Sequence, residues 1–265
     1  MYIRKFIFFL VSFLAFSCVS KQDNISKSPA DGKFYYEMGV SSLNAGNNAQ
    51  AIHYLLQAVQ TYRKPEVYNV LALAYQFSGE YTKAEEAFKE GISRFSDNPE
   101  LITNLGVLYA LTNREKEAIS LLEQSATHPT YQGKDKAYYN LALIYRNSGN
   151  DTLFLENINR SLLYNSNFAS SYIALGDYYY EIYLKSKDRD SLKQSLSNYL
   201  KVTGFGLSSP ELFYKIGRIY IVMKEKELAK YYLEKALKVT EDKDPMKNQI
   251  KQLLIDLTED KFKEF

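Results

Sequence analysis

The sequence predicts an all-α chain: a solenoid of about six helix–turn–helix units closed by a C-terminal capping helix. Three observations carry that expectation. One phrase recurs, as VYNVLALAYQFSGE at 67–80, AYYNLALIYRNSGN at 137–150 and LFYKIGRIYIVMKE at 212–225. Its small residue returns with a period close to the length of one helical hairpin, about 34 residues. Only 12 Gly and 6 Pro punctuate 265 residues, too few for a β chain rich in tight turns.

Taken in chain order, residues 1–17 predict a signal peptide. Arg4 and Lys5 precede an apolar run from Phe6 to Phe16. That run is too short to cross a bilayer, which takes roughly 20 apolar residues. Ser17 then stands before Cys18, the only cysteine in the chain. A small residue ahead of a lone cysteine resembles the bacterial lipobox, although Ala15 occupies the position where that motif expects leucine. The resemblance implies that Cys18 is lipid-modified and becomes the mature N-terminus. Ordinary cleavage after Ala15-Phe16-Ser17 is the alternative, since it also satisfies the small-x-small rule. Acyl chains would anchor the protein stably, at about 0.8 kcal/mol per buried methylene. Residues 18–31 are polar without an apolar period and predict a flexible tether. No Asp follows Cys18, and resemblance to lipoprotein sorting in Gram-negative bacteria then implies the periplasmic face of the outer membrane.

The repeated units are expected over 32–244, as 32–64, 65–98, 99–134, 135–168, 169–209 and 210–244. Their first helices carry the small residue at Gly39, Ala72, Gly106, Ala142, Gly176 and Gly217, at spacings of 33, 34, 36, 34 and 41. A large apolar residue precedes each one (Met38, Leu71, Leu105, Leu141, Leu175, Ile216). A tyrosine follows three later in five of them (Tyr75, Tyr109, Tyr145, Tyr179, Tyr220), with Ser42 in the first. The second helices place a small residue at Ala51, Ala84, Ala118 and Ala229, and a large one four later at Leu55, Phe88, Leu122 and Leu233. Small residues let two helices approach, and the large residues fill the grooves beside the crossing. Two units depart from the pattern. Phe154 stands where the fourth unit should be small. In the fifth unit the first helix or the turn is expected to be longer by about two helical turns, with Ser195 and Tyr199 as its second-helix pair. Asp244-Pro245 then predicts a helix start. Met246, Ile250, Leu253, Leu254 and Leu257 form one stripe of a capping helix within 245–265.

This pattern resembles the tetratricopeptide (TPR) family over nearly all of 32–244. The resemblance implies a right-handed superhelix whose first helices line a concave groove. The family places ligand contacts one residue after the small position and at the neighbouring turns. Those positions are Tyr36, Val40 and Leu43; Asn69, Leu73 and Gln76; Thr103, Val107 and Ala110; Tyr139, Leu143 and Arg146. The last two units supply Ile173, Asp177 and Tyr180, then Tyr214, Arg218 and Ile221. Val40, Leu73, Val107 and Leu143 make the first four units apolar at the central position, which suits an amphipathic or extended apolar segment. The competing reading is that these four residues pack between neighbouring units.

Little in the composition points to chemistry. Arg4 and Lys5 supply two of the 33 basic residues, and the rest balance the 31 acidic ones, so nucleic acid is not an expected partner. His53 and His128 are the only histidines, and no Gly-rich phosphate loop, Cys–His cluster or nucleophile elbow is present. The acidic pairs Glu85–Glu86 and Glu115–Glu117 read as solvated surface. No enzyme, cofactor or metal is therefore expected.

A narrower resemblance concerns the type IV pilus pilotins, secreted TPR lipoproteins of six repeats. The chain reads SATHPTYQGKDKAYYNLALIY between the third and fourth units, and pilotins carry a similar short extension with a proline and a tyrosine, here Pro129 and Tyr131. An Ala and an Asn then open the next helix, as Ala137 and Asn140 do. The resemblance implies an assembly factor that binds a secretin subunit and assists its localisation and assembly in the outer membrane. The alternative is an envelope adaptor docking other outer-membrane assembly or peptidoglycan-associated proteins.

Overall fold

The computed structural model describes residues 29–259. The expected signal peptide, Cys18 and the tether up to residue 28 lie outside the described residues. Thirteen α-helices follow one another, with no strand among the described residues. They pair as hairpins: α1 (Pro29–Asn44) with α2 (Asn48–Thr61), α3 (Pro65–Phe77) with α4 (Tyr81–Arg94), and α5 (Pro99–Leu111) with α6 (Glu115–Thr127). The series continues with α7 (Lys134–Asn147) and α8 (Asp151–Tyr164), α9 (Ala169–Ser186) and α10 (Arg189–Gly204), and α11 (Pro210–Met223) and α12 (Lys226–Val239). A last helix, α13 (Met246–Thr258), packs on α12. Helix α1 starts at Pro29, so residues 29–31 of the expected tether form its first turn.

Local chemistry explains the helix boundaries. Pro65, Pro99 and Pro210 open α3, α5 and α11, where the missing N–H has no intrahelical acceptor to lose. The side chains of Asn98, Asn150 and Ser209 accept from the backbone N–H three residues on, at 3.0–3.1 Å. Each hairpin turn contains one residue with positive φ: Gly46, Gly79, Asn113, Gly149, Lys187 and Lys224. In five hairpins it lies seven residues after the small residue. After Gly176 it lies eleven later, so α9 is four residues longer. Ser195 then follows Lys187 by eight residues, where the other five hairpins have five. The seven extra residues are thus shared, four in α9 and three in α10. The expectation placed the excess in the first helix or the turn. Instead the fifth hairpin is prolonged at its turn end by about one turn, roughly 6 Å. At the C-terminal end, Asp244 Oδ1 accepts from the Met246 N–H at 2.8 Å, and Pro245 precedes the helix rather than forming its first residue.

The crossings follow the spacing of small and large residues. A methyl group on Gly39 would lie 2.6 Å from Leu55 Cγ, on Gly217 2.8 Å from Leu233 Cγ, and on Gly106 3.0 Å from Leu122 Cγ. At Gly176 it would lie 2.4 Å from the Tyr199 ring. Ser195 Oγ donates to the Gly176 carbonyl at 2.7 Å, so both predicted second-helix residues of this hairpin meet the same glycine. Phe154 does not disturb the fourth crossing. Its ring is fully buried beside Ala142, Ile158, Ala174 and Leu175, with the Tyr178 ring 5.0 Å away. The large side chain is shared between its own hairpin, through Ala142 and Ile158, and the fifth, through Ala174 and Leu175.

Burial joins α2 through α7 into one cluster that includes Leu55, Tyr68, Phe88, Leu101, Leu122 and Leu141. Separate clusters then follow around Phe154, around Tyr199 and Ile216, and around Leu233, Ile250 and Leu257. The extension between α6 and α7 is packed too. Tyr131 lies against the first cluster, and His128 Nε2 meets Asp97 Oδ1 at 2.7 Å.

The crossing distances predict an ordering. Gly106→Ala should be the milder change, because Leu122 and the Ala118 carbonyl, at 3.0 and 3.3 Å, need yield only slightly and alanine favours the helix by about 0.5–1 kcal/mol. Gly176→Ala should lose about 1–3 kcal/mol, because the Tyr199 ring is held at its far end by a hydrogen bond to Asp177. Thermal melts of the two variants check this, and equal melting would contradict the crossing.

Candidate interaction groove

The first helices of neighbouring hairpins pack on one another, α1 on α3, α3 on α5 and α5 on α7. They form one face of the solenoid. Val40, Leu73, Val107 and Leu143 are all half-buried along it. Tyr36, Leu43, Leu73 and Val107 pack in part against the large core cluster. Those residues therefore pack between hairpins while part of each side chain stays exposed on this face.

The polar groove positions already have work within the fold. Asn69 Oδ1 accepts from Asn104 Nδ2 at 2.7 Å, which ties α3 to α5. Tyr139 meets the Phe168 ring edge-on at 5.4 Å. Burial raises its pKa, and the Asp177 charge adds to the effect. Arg146 reaches from α7 to α9, donating to the Ala174 carbonyl at 3.4 Å and pairing with Glu181 at 2.5 Å. Its guanidinium also lies 5.6 Å from the Phe154 ring centre. Gln76 differs, since its Oε1 is buried without a partner. Thr103 and Ile221, also expected on the groove, are buried.

Beyond α7 the face becomes polar. Asp177 Oδ1 accepts from the Tyr199 hydroxyl and from Lys215 Nζ, each at 2.5 Å. Burial, and then the hydrogen bond to Asp177, pushes the Tyr199 pKa far up. Arg218 lies 5.7 Å from the ring centres of both Tyr180 and Tyr214. Sequence reasoning named Asp177, Tyr180 and Arg218 but missed Lys215 and Asn104. Both occupy the position two before the small residue, a register that would have found them.

On the second helices, Glu85 corrects the reading of the acidic pairs as solvated surface. It is half-buried, accepts from the Tyr109 hydroxyl at 2.9 Å, and pairs with Lys89 and Arg114 at 2.7 Å each. The Arg114 guanidinium lies 3.7 Å from the Tyr109 ring centre. Burial alone would raise the Glu85 pKa, but the hydrogen bonds from Lys89 and Tyr109 and the nearby cations bring it below the ordinary value. Glu85 therefore ties the second hairpin to the third. Among the described residues, no group of three His, Cys, Asp or Glu is placed to hold a metal, and no helix is long and apolar enough to cross a membrane.

Stacked hairpins with close crossings, left-handed turns and a lined face define a helical-repeat protein. Two family models, both described as tetratricopeptide repeat, match the chain, one over residues 69–133 and the other over 135–168 and again over 210–243. The chain is a tetratricopeptide repeat protein. Among solved structures it is similar to PilF of Pseudomonas aeruginosa, with 18% identity and a TM-score of 0.65 over 84% of this chain and 98% of that one. It is similar also to PilW, described as a widely conserved type IV pilus biogenesis factor, with 17% identity and a TM-score of 0.64 over 83% and 97%. At these identities the likeness establishes the fold. The regulatory protein RapG of Bacillus subtilis is 26% identical over 138 residues, which is 47% of this chain and only 38% of RapG.

The amide pair on the groove face gives a second prediction. Asn69→Ala and Asn104→Ala should each cost about 0.5–1.5 kcal/mol in urea unfolding. A double-mutant cycle should return a coupling of similar size, whereas additive effects would mean that the pair contributes nothing.

Proposed function

We propose that this protein is a non-enzymatic scaffold that binds a polypeptide segment along the face made by α1, α3, α5 and α7. The observation that carries the reading is the row of half-buried apolar residues Val40, Leu73, Val107 and Leu143, one per hairpin at the same register. Such a row buries apolar side chains of a bound segment at intervals set by the repeat.

The partner we favour is a secretin subunit, with the protein acting as a pilotin that assists secretin localisation and assembly for the type IV pilus. Two features support this. The similarity to PilF and PilW runs through more than four-fifths of the chain and almost all of theirs. The lone Cys18 stands after an apolar leader, as lipid attachment requires. Anchored there, the protein would work at the periplasmic face of the outer membrane.

Val40→Asp combined with Leu143→Asp is the cleanest groove variant, because neither residue belongs to the buried clusters. Its helical content and melting should match the parent, while capture of secretin from detergent extracts falls at least about tenfold. Undiminished capture would remove the groove from the reading. Deleting the gene should leave secretin monomeric, and normal multimers in the deletant would exclude the pilotin role. Cys18→Ser should move the protein from the membrane to the soluble fraction. Unchanged membrane association would exclude a lipid anchor at that residue.

A further inference from the structure

The two ends of the stack are finished differently. At the carboxyl end α13 packs over the last hairpin and, apart from Ile255, turns Asn248, Gln249, Lys251 and Gln252 to solvent. Repeat stacks stay soluble through such polar outer faces. The amino end has no counterpart among the described residues. Five residues before the small residue, the later hairpins carry Val67, Leu101, Ala137, Ser171 and Leu212, none more than 4% exposed. That position packs on the second helix of the preceding hairpin: Leu101 sits against Gly91 of α4, and Ser171 shares a hydrogen bond with Ser161 of α8 at 2.9 Å. Phe34 holds the same position in the first hairpin and is 58% exposed. Met38, one turn on, is half-buried, whereas Leu71, Leu105, Leu141, Leu175 and Ile216 at its register are buried.

Residues 19–28 offer no matching stripe, since Val19 and Ile25 are their only apolar members. The charges beside the apolar row indicate what fits. Lys33 and Glu37 form the adjacent row of α1, 3.7 Å apart with each side chain 62% exposed. Glu37 stands two before the small residue, the register from which Asn104 and Lys215 reach back to the preceding hairpin. Opposite charges one turn apart are self-complementary. With two such helices antiparallel about a twofold axis, Lys33 of each chain meets Glu37 of the other, and the Phe34 and Met38 rows cover one another. A bilayer would instead strip water from both charges and return no partner to either. We propose that the outer face of α1 pairs with the same face of a second copy of this chain, about a twofold axis. Such a contact closes with two chains and leaves no apolar end to extend it. The inference is independent of what the groove binds.

The test co-expresses two copies of the full chain carrying different C-terminal tags, extracts them in detergent, captures one and measures the other. The parent should capture itself. Lys33→Glu on both copies should lower that capture at least about tenfold, as should Glu37→Lys on both, because each places like charges opposite one another. Lys33→Glu on one copy with Glu37→Lys on the other restores both opposite-charge contacts and should bring capture back to near the parent level. That recovery also shows that the single variants fold. Phe34→Asp on both copies should abolish capture while helical content stays at the parent level. Absence of self-capture in the parent would overturn the proposal. So would capture that survives every single variant, which would place the contact on another surface or in shared detergent, and so would a mixed pair that fails to recover. Loss of secretin capture on Phe34→Asp, with no self-capture in the parent, would overturn it too and assign the face to the partner.

Discussion

The close approach of two helices at a residue without a bulky side chain is the constraint on which the molecule depends. At Gly39, Gly106, Gly176 and Gly217 the partner helix lies so near that an added methyl group would come within 3.0 Å of it. That contact fixes which face of each helix turns inward. The left-handed turn follows at a set distance, seven residues on in five of the six hairpins. Once the crossing and the turn are set, the residue after the small one has nowhere to point but along the outer side of the first helix. The groove is thus a geometric by-product of the tight crossing rather than a separately encoded feature.

The same constraint divides labour on the groove face. Its apolar positions lie partly in the core and partly open, so they support the stack and remain available to a partner. Its polar positions hold neighbouring hairpins together: Asn69 to Asn104, Arg146 to Glu181 and Asp177 to Lys215. Each of these ties joins first helices that are neighbours in space. Substitutions chosen to probe binding therefore also touch stability unless they fall on residues such as Val40 or Leu143 that lie outside the buried clusters.

The hairpin stack was legible in the sequence because its signal is periodic and local. Small residues recur near every 34 positions, and their large partners lie four residues after the next small one. Tyr199 against Gly176 shows how far this goes, since the pairing holds in the least regular hairpin. What escaped was not periodic. Asn104 and Lys215 act through partners 35 and 38 residues away in the chain, and only the superposition of hairpins brings them together. Glu85 looked like one of many surface acids because its three partners come from its own helix, the next hairpin's first helix and the turn beyond. The division of the extra residues of the fifth hairpin was hidden for another reason. A count gives the excess, but only the position of the Lys187 turn says how two helices share it.

The buried clusters are unequal, and that has a mechanical meaning. From α2 to α7 the apolar interior runs unbroken, whereas beyond it the interior is parcelled into three smaller lots. A load applied to the two ends meets a stiff beam followed by a jointed one. Flexure concentrates at the seam beside Phe154, where Arg146 acts as a strap across the joint. The carboxyl-proximal hairpins can therefore swing about that seam while the amino-proximal stretch moves as one piece.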